Sequence, residues 1–352
     1  MNSDWAIGPG LPSPIYPELS RDLVNAAVLP DDRIRFVLGV CSAYAYGNPS
    51  AVATVMDRLG LTRNRVRMIS EYVDALFLTS TAYLIQSHDG QVVILCYRGT
   101  PPTSAVTWLT DFEVEPVTID LPGPPGPAVR RVHGGFYRNV RSTRFKIVEL
   151  LQDAIDGKSV LVPGENPRDE PPVAGLKALY ITGHSLGGAS AALFAALLKF
   201  EPITQAAVAP DAHTKIIGRL RAVYTYGSPM IGNPAFAAAC NQDPLLRTNV
   251  IRYVYANDVV PQVPPKASGP FRHFGEEYRY TPPGAKGHWH PSRRSRTQLR
   301  NLVQLLTAPL AIGATSLKIT RPIPFHASLS DHFPQYYLDA LTPPGLRSEF
   351  GD

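Results

Sequence analysis

The amino-acid sequence predicts an α/β fold in which helices cover both faces of a mostly parallel central sheet. A β-favouring run at residues 179–182 passes through a glycine-rich turn into an alanine- and leucine-rich segment at 189–200, which has strong helix propensity. Two further strand-like runs follow at 220–226 and 249–258. Hydrophobic residues make up 44% of the 352 residues and charged residues 18%, which excludes the disordered and coiled-coil classes.

The turn between the first of these strands and its helix reads Gly183-His184-Ser185-Leu186-Gly187. A serine between two glycines, placed between a strand and a helix, is the nucleophile elbow of the α/β-hydrolase fold. Such a turn holds the serine in a strained backbone conformation, and only glycine is small enough two positions before and after it. The free N–H groups and the positive end of the following helix then point toward the reaction centre. The pattern predicts Ser185 as a nucleophile.

The strands that follow the elbow supply a candidate acid. The run at 220–226 ends in a Gly-Ser-Pro turn, and the next run ends on Asp258. Prolines within 261–265 prevent that strand from continuing. An acid at the C-terminal end of a sheet strand lies on the edge where α/β active sites are built. The alternative is an aspartate that only caps a loop, but the chain order serine, aspartate, histidine favours the catalytic interpretation.

The choice of a base stays open at this point. Of the nine histidines, His326 and His332 both follow the candidate acid, and spacing separates them only weakly. His288 and His290 lie in a stretch rich in proline, glycine and arginine, with no predicted element to hold them.

Before the elbow, the chain begins with a proline-rich segment over residues 1–30, which predicts an extended arm. A helix is expected from Asp31 or Asp32 through Tyr46, where Gly47 ends it.

The remaining proline clusters lie near 120–129, 163–172 and 261–296. We interpret them as loop insertions on the surface of a single domain over residues 31–345, because α/β folds often remain one domain at this size.

Cysteine usage and the N-terminus bear on the compartment. Cys41, Cys96 and Cys240 are a sparse and odd set, which does not indicate a disulfide framework. The N-terminus lacks a basic stretch followed by an apolar block, so no secretory signal is expected. These observations favour a cytoplasmic protein or one exported by a signal-independent route.

No cofactor is expected, and no nucleic-acid partner. His288 and His290 have no acid or cysteine at ligand spacing, so no metal site is predicted. The net charge of +5 is modest, and its densest basic run, at 290–296, carries no nucleic-acid-binding motif. That run is interpreted as a solvated loop, with transient contact to an anionic lipid surface as the alternative.

Several further motifs give the sequence a resemblance to a known family. Over roughly residues 40–340, the chain resembles the class 3 lipases typified by secreted triacylglycerol lipases of filamentous fungi. The matching segments, in chain order, are Tyr97-Arg98-Gly99-Thr100, Trp108-Leu109-Thr110-Asp111, Val132-His133-Gly134-Gly135-Phe136, Gly183-His184-Ser185-Leu186-Gly187-Gly188, Tyr226-Gly227-Ser228-Pro229, 257–265, 271–275, and Asp331-His332 with Tyr336. Each segment alone is a weak signal, but eight in order are hard to reach by chance.

The resemblance implies an α/β-hydrolase fold of the class 3 lipase type and hydrolysis of lipid esters through an acyl-enzyme. It favours His332 over His326 as the general base, beside Ser185 and Asp258. The alternatives within the enzyme class are a phospholipase A1 or an esterase for small or aromatic esters. A catalytically silent lipid-binding or interaction module on the same fold is the alternative outside it.

The resemblance also implies an oxyanion hole and a lid. The two donors would be the backbone N–H of Leu186 and Thr100, with Asp111 orienting the Thr100 hydroxyl. Thr100 could instead be only a β-branched residue that ends a strand. The lid would be the short segment 101–109 with Trp108 as its apolar anchor, the alternative being a loop whose tryptophan packs on the core. His133 is expected to be structural.

Overall fold

The computed structural model describes residues 14–26, 29–73, 78–100, 115–120, 129–162, 164, 170–201, 203, 209–281, 287–292 and 328–346. The strands in these ranges are β1 (Arg65–Val73), β2 (Leu78–Gln86), β3 (Val92–Tyr97), β4 (Pro116–Thr118), β5 (Arg131–His133), β6 (Ala178–His184), β7 (Leu220–Tyr226), β8 (Val250–Tyr255), β9 (Glu276–Thr281) and β10 (His288–Ser292). The α-helices are α1 (Leu19–Asn25), α2 (Asp32–Tyr44), α3 (Pro49–Leu59), α4 (Gly134–Ile155), α5 (Leu186–Phe200), α6 (Ala212–Ile217), α7 (Pro234–Gln242), α8 (Pro244–Asn249) and α9 (Pro334–Leu341).

Eight of these strands form one sheet in the order β1-β2-β3-β6-β7-β8-β9-β10. The neighbours from β3 through β9 pair in parallel, whereas β1–β2, β2–β3 and β9–β10 pair antiparallel. The predicted α/β fold with a mostly parallel sheet is confirmed.

Both faces of the central strands are buried, which explains why their sequences read as continuous apolar runs. In β3, Val93 and Leu95 join a core shared with α4 and α5, while Val92 and Ile94 join the opposite core, shared with α1–α3 and α9. This alternation follows from the two-residue period of a strand. The ends of the parallel strands are therefore held rigidly from both sides.

The N-terminal segment differs from the expected extended arm. Within residues 1–30 the structure describes 14–26 and 29–30, and α1 lies there with Leu19 and Leu23 fully buried. These two leucines, four residues apart, form the apolar stripe of a short amphipathic helix. The next helix, α2, begins after Asp31, whose side chain accepts a hydrogen bond from the Ile34 N–H (2.9 Å), and it ends at Tyr44, close to the expected end.

The interpretation of 261–296 as a loop insertion was wrong for two segments, because β9 and β10 of the main sheet lie inside it. Their residues are mostly polar or aromatic and only partly buried, as suits strands near a sheet edge, and Pro291 is tolerated because β10 is the last strand of the described sheet. Most of the other two proline clusters lies outside the described residues.

Among the described helices, none has the combination of length and hydropathy needed to cross a bilayer.

Candidate active site

Ser185 lies at the sharp turn between β6 and α5. Its backbone has φ 59° and ψ −129°, a strained conformation for a residue other than glycine. A Cβ atom at Gly183 would lie 2.3 Å from the carbonyl carbon of Gly187, so a side chain there would collide with the turn. The predicted strand–turn–helix with small residues on either side is confirmed.

The turn is fixed against the neighbouring strand, because the Ser185 N–H donates to the carbonyl oxygen of Tyr226 at 2.9 Å. Leu186 is the first residue of α5, and the first N–H groups of a helix have no acceptor within it. The Leu186 N–H therefore borders the serine as a potential donor to a developing negative charge.

Asp258 follows β8 and is fully buried. Its Oδ1 atom accepts a hydrogen bond from the Val260 N–H at 2.9 Å. Its Oδ2 atom accepts from the ring of His332 at 2.9 Å and from the hydroxyl of Tyr337 at 2.6 Å. A buried carboxylate needs such donors in place of the water that it has lost.

His332 lies in a short 3₁₀ turn, Ser330–His332, and is buried. Because the carboxylate of Asp258 only accepts, the Nδ1 atom of His332 carries the proton, which leaves Nε2 with a free lone pair. Nε2 is buried and has no hydrogen-bond partner among the described residues, so it is not bonded to the Ser185 hydroxyl in this structure.

The three candidate residues meet at one edge of the sheet, at the C-terminal ends of the strands. Gly227 directly follows Tyr226, the acceptor of the Ser185 N–H. A Cβ atom at Gly227 would lie 2.9 Å from the His332 ring and 2.7 Å from Asp258 Oδ2. The structure thus brings the serine turn, the acid and the histidine around one glycine.

Thr100 follows the end of β3 and is buried. Its Oγ1 atom has no hydrogen-bond partner within the described part of the chain. Asp111, expected to orient this hydroxyl, lies outside the described residues, as do Trp108 and the competing histidine His326.

Sequence reasoning missed Tyr337 and singled out its neighbour. Tyr336 is 38% exposed and stacks on Tyr255, whereas Tyr337 is buried and bonds Asp258. A signal was present, since Tyr337 and Leu341 are four residues apart and form the buried face of α9.

His133 is structural, as expected. Its Nδ1 atom accepts from the N–H groups of Gly135 (3.0 Å) and Phe136 (3.4 Å) and so caps α4. Burial, and then the nearby Arg138, lowers the pKa of His133 to about 3. In the described residues, no group of three or more histidine, cysteine, aspartate or glutamate side chains is placed to hold a metal ion.

Comparison with known proteins finds relatives of one kind. The family model for lipase (class 3) matches residues 94–268. Triacylglycerol lipase OBL1 of Arabidopsis thaliana is 29% identical over 272 residues, which cover 67% of this chain and 47% of that lipase. A lipase of Rhizomucor miehei is 27% identical over 211 residues, which cover 58% of this chain and 46% of that lipase. The chain spans about half the length of these curated relatives.

The fold is also shared with solved structures. A triacylglycerol lipase whose catalytic centre is a serine protease triad superposes with a TM-score of 0.56 at 20% identity, over 90% of this chain and 98% of its own. The family model, the relatives and the fold agree with one another: the chain is similar to the class 3 lipases.

Proposed function

We propose that this protein is a serine hydrolase that cleaves carboxylic ester bonds of lipids, with Ser185, His332 and Asp258 as its catalytic triad. The observation that carries the proposal is the hydrogen bond from His332 Nδ1 to the buried Asp258, beside a serine on a strained elbow. The match to the class 3 lipase model, and relatives named triacylglycerol lipases, support a lipid ester as the substrate.

In this mechanism the Ser185 hydroxyl attacks the ester carbonyl while His332 Nε2 accepts its proton. The tetrahedral intermediate then expels the alcohol, which takes the proton back from His332, and the acyl group remains on the serine. A water molecule activated by the same histidine releases the fatty acid. Asp258 keeps the imidazole in the Nδ1–H tautomer and stabilises the positive charge that forms on it.

Negative charge develops on the carbonyl oxygen during both steps and needs aimed donors. The Leu186 N–H and Thr100, through its N–H and its hydroxyl, are the candidates. The buried, unbonded state of the Thr100 hydroxyl in the described part of the chain supports this role. Loss of one such donor typically lowers the rate by about 10² to 10³.

The proposal is tested first by covalent labelling with a fluorophosphonate probe, followed by mass spectrometry of the labelled peptide. We expect stoichiometric labelling at Ser185, abolished in Ser185→Ala and retained in the control Ser50→Ala, which removes an exposed serine on α3. His332→Ala should lower ester hydrolysis by about 10⁴-fold or more. Loss of activity in His326→Ala with activity kept in His332→Ala would overturn the assignment of the base.

Rates on triacylglycerol, phosphatidylcholine and a short soluble p-nitrophenyl ester then define the substrate class. We expect turnover of triacylglycerol. Turnover confined to the phospholipid or to the short ester would contradict the proposed substrate, and a wild-type protein that the probe does not label would contradict the proposed chemistry.

A further inference from the structure

A chain of hydrogen bonds runs beneath the candidate site and uses none of the three triad side chains. The Tyr46 hydroxyl lies 2.9 Å from His184 Nδ1, and His184 Nε2 lies 2.8 Å from the backbone carbonyl oxygen of His332. His184 is buried, and its ring is 4.6 Å from the His332 ring, centroid to centroid.

The His332 carbonyl oxygen determines the direction of these two hydrogen bonds. A carbonyl oxygen can only accept, so His184 Nε2 carries the proton and donates it to His332. In a neutral imidazole Nδ1 is then an acceptor, and the Tyr46 hydroxyl must be its donor. Removal of that hydroxyl would leave the buried Nδ1 atom without a donor and would loosen the hold on the ring.

The neutral state of His184 matters because of the charge that forms beside it. Burial, and then the proximity of His332, lowers the pKa of His184 well below its usual range. His184 can therefore hold the backbone of the base without adding a positive charge next to the imidazolium of the proposed reaction. A lysine or arginine at this position would oppose that imidazolium.

The same pair also adjoins the other two parts of the candidate site. His184 directly precedes Ser185 in the chain. A Cβ atom at Gly99 would lie 2.2 Å from the Tyr46 hydroxyl and 2.6 Å from the His184 carbonyl oxygen, and Gly99 precedes Thr100. Tyr46 lies outside the segment that the family model matches.

We infer that Tyr46 and His184 are a positioning pair that fixes His332 relative to Ser185 and to the Thr100 segment. Tyr46 holds the ring of His184 in place, and His184 holds the backbone of the base. The inference rests on the proposed function of Ser185 and His332.

Tyr46→Phe tests the first link, with a short p-nitrophenyl ester as substrate and active sites counted by end-point fluorophosphonate titration. We expect kcat per titrated site to fall about tenfold, the value of one hydrogen bond, with KM unchanged. The matched control is Tyr180→Phe, which removes a buried hydroxyl that donates to the Leu23 carbonyl oxygen (2.7 Å) from the same strand as His184. That variant should keep its kcat within about twofold, because its lost bond lies away from the site.

His184→Gln and His184→Leu test the second link. The glutamine amide can still donate to the His332 carbonyl oxygen, whereas leucine cannot. We expect kcat per titrated site to fall strongly in His184→Leu and to remain close to the wild-type value in His184→Gln. Equal values for the two variants would overturn the inference.

A readout independent of activity is the histidine ring spectrum of nitrogen-15-labelled protein. In the wild type we expect the His184 ring, assigned by its loss in His184→Gln, to stay neutral with its proton on Nε2 between about pH 5 and pH 8. In Tyr46→Phe we expect the Nδ1 resonance of His184 to shift, because that nitrogen loses its donor. A wild-type His184 that titrates in this range, or an unchanged kcat per site in Tyr46→Phe, would refute the positioning pair while leaving the triad intact. A wild type without labelling or turnover would refute the proposed function instead.

Discussion

At the scale of single residues, the buried carboxylate of Asp258 organises the candidate site. It accepts hydrogen bonds from the Val260 backbone, the His332 ring and the Tyr337 hydroxyl. These donors come from the loop after β8, a 3₁₀ turn and α9. The geometry of the acid and the base therefore depends on residues that the triad alone does not include.

Tyr337→Phe isolates one of these donors. A hydrogen bond to a charged group contributes about 1.5–3 kcal/mol, so we expect kcat for ester hydrolysis to fall roughly ten- to a hundredfold with KM unchanged. Tyr336→Phe is the matched control, since it changes the exposed neighbour on the same helix and should leave kcat unaltered. Steady-state kinetics on a soluble ester measures both. A larger effect in Tyr336→Phe would show that the resemblance, which pointed to that residue, was the better guide.

The individual residues differ in how well the sequence alone predicts them. Ser185 and Asp258 could be chosen because each sits at a strand end with a local pattern. His332 could be separated from His326 only by resemblance, since nothing near either residue encodes which one reaches Asp258. The helical spacing could place Tyr337 on a buried face, but not its bond to Asp258 or that of His184 to His332, because these partners lie 79 and 148 residues away in the chain and no local pattern reports such contacts.

At the scale of elements, two loops from distant parts of the chain are joined by backbone pairing. The Ser328 N–H donates to the Asn257 carbonyl oxygen at 2.8 Å. The Val259 N–H donates to the Ser328 carbonyl oxygen at 3.2 Å. The side chain of Asp331 adds an acceptor for the Asn257 N–H at 2.9 Å. This pairing carries His332 to the end of β8.

Asp331→Ala should loosen the pairing. The loss of a charge-assisted acceptor is expected to cost about 1–3 kcal/mol in the free energy of unfolding and to lower kcat about tenfold. The control Asp211→Ala removes an exposed carboxylate that pairs with Lys215 on the surface, and should change neither quantity measurably. Urea unfolding and kinetics on the same samples provide the test. An Asp331→Ala protein with wild-type kcat would show that backbone pairing alone holds the turn.

Elements also differ in how well the sequence predicts them. The central strands are buried on both faces, and continuous apolar runs such as 92–97 report that directly. β9 and β10 are only partly buried, with charged residues at Glu276 and Arg279 and a proline at 291, so their composition reads as a loop. Their strand state is imposed by the pairing of β9 with β8 and of β10 with β9, which is a tertiary effect.

At the scale of the whole molecule, several buried histidines have lowered pKa values and form hydrogen bonds with the backbone. His133 caps α4, and His184 connects the elbow to His332. His273 donates from Nε2 to the Pro261 carbonyl oxygen at 2.8 Å. Burial is the main cause of the lowered pKa of each, and the second cause for His273 is the nearby Arg252. The fold thus depends on histidines that would take up protons once exposed.

This dependence predicts that the protein loses stability in mild acid. His273 has a pKa of about 3 in the folded protein, against an ordinary value near 6.5. Below about pH 6.5, therefore, the unfolded chain binds a proton at this histidine that the folded protein does not bind. The free energy of unfolding is therefore unaffected by His273 above about pH 6.5 and decreases as the pH falls toward 3. Between pH 7 and pH 5 this residue alone lowers the free energy of unfolding by about 2 kcal/mol. Glu277 also faces His273, but its pKa is lowered from 4.5, so its own titration lies below this window. Urea unfolding of the wild type and of His273→Gln at the two pH values measures the effect, with His288→Gln, at an exposed position, as the control. We expect His273→Gln alone to reduce the difference between the two pH values, and a difference as large as that of the wild type would show that His273 is protonated in the folded protein.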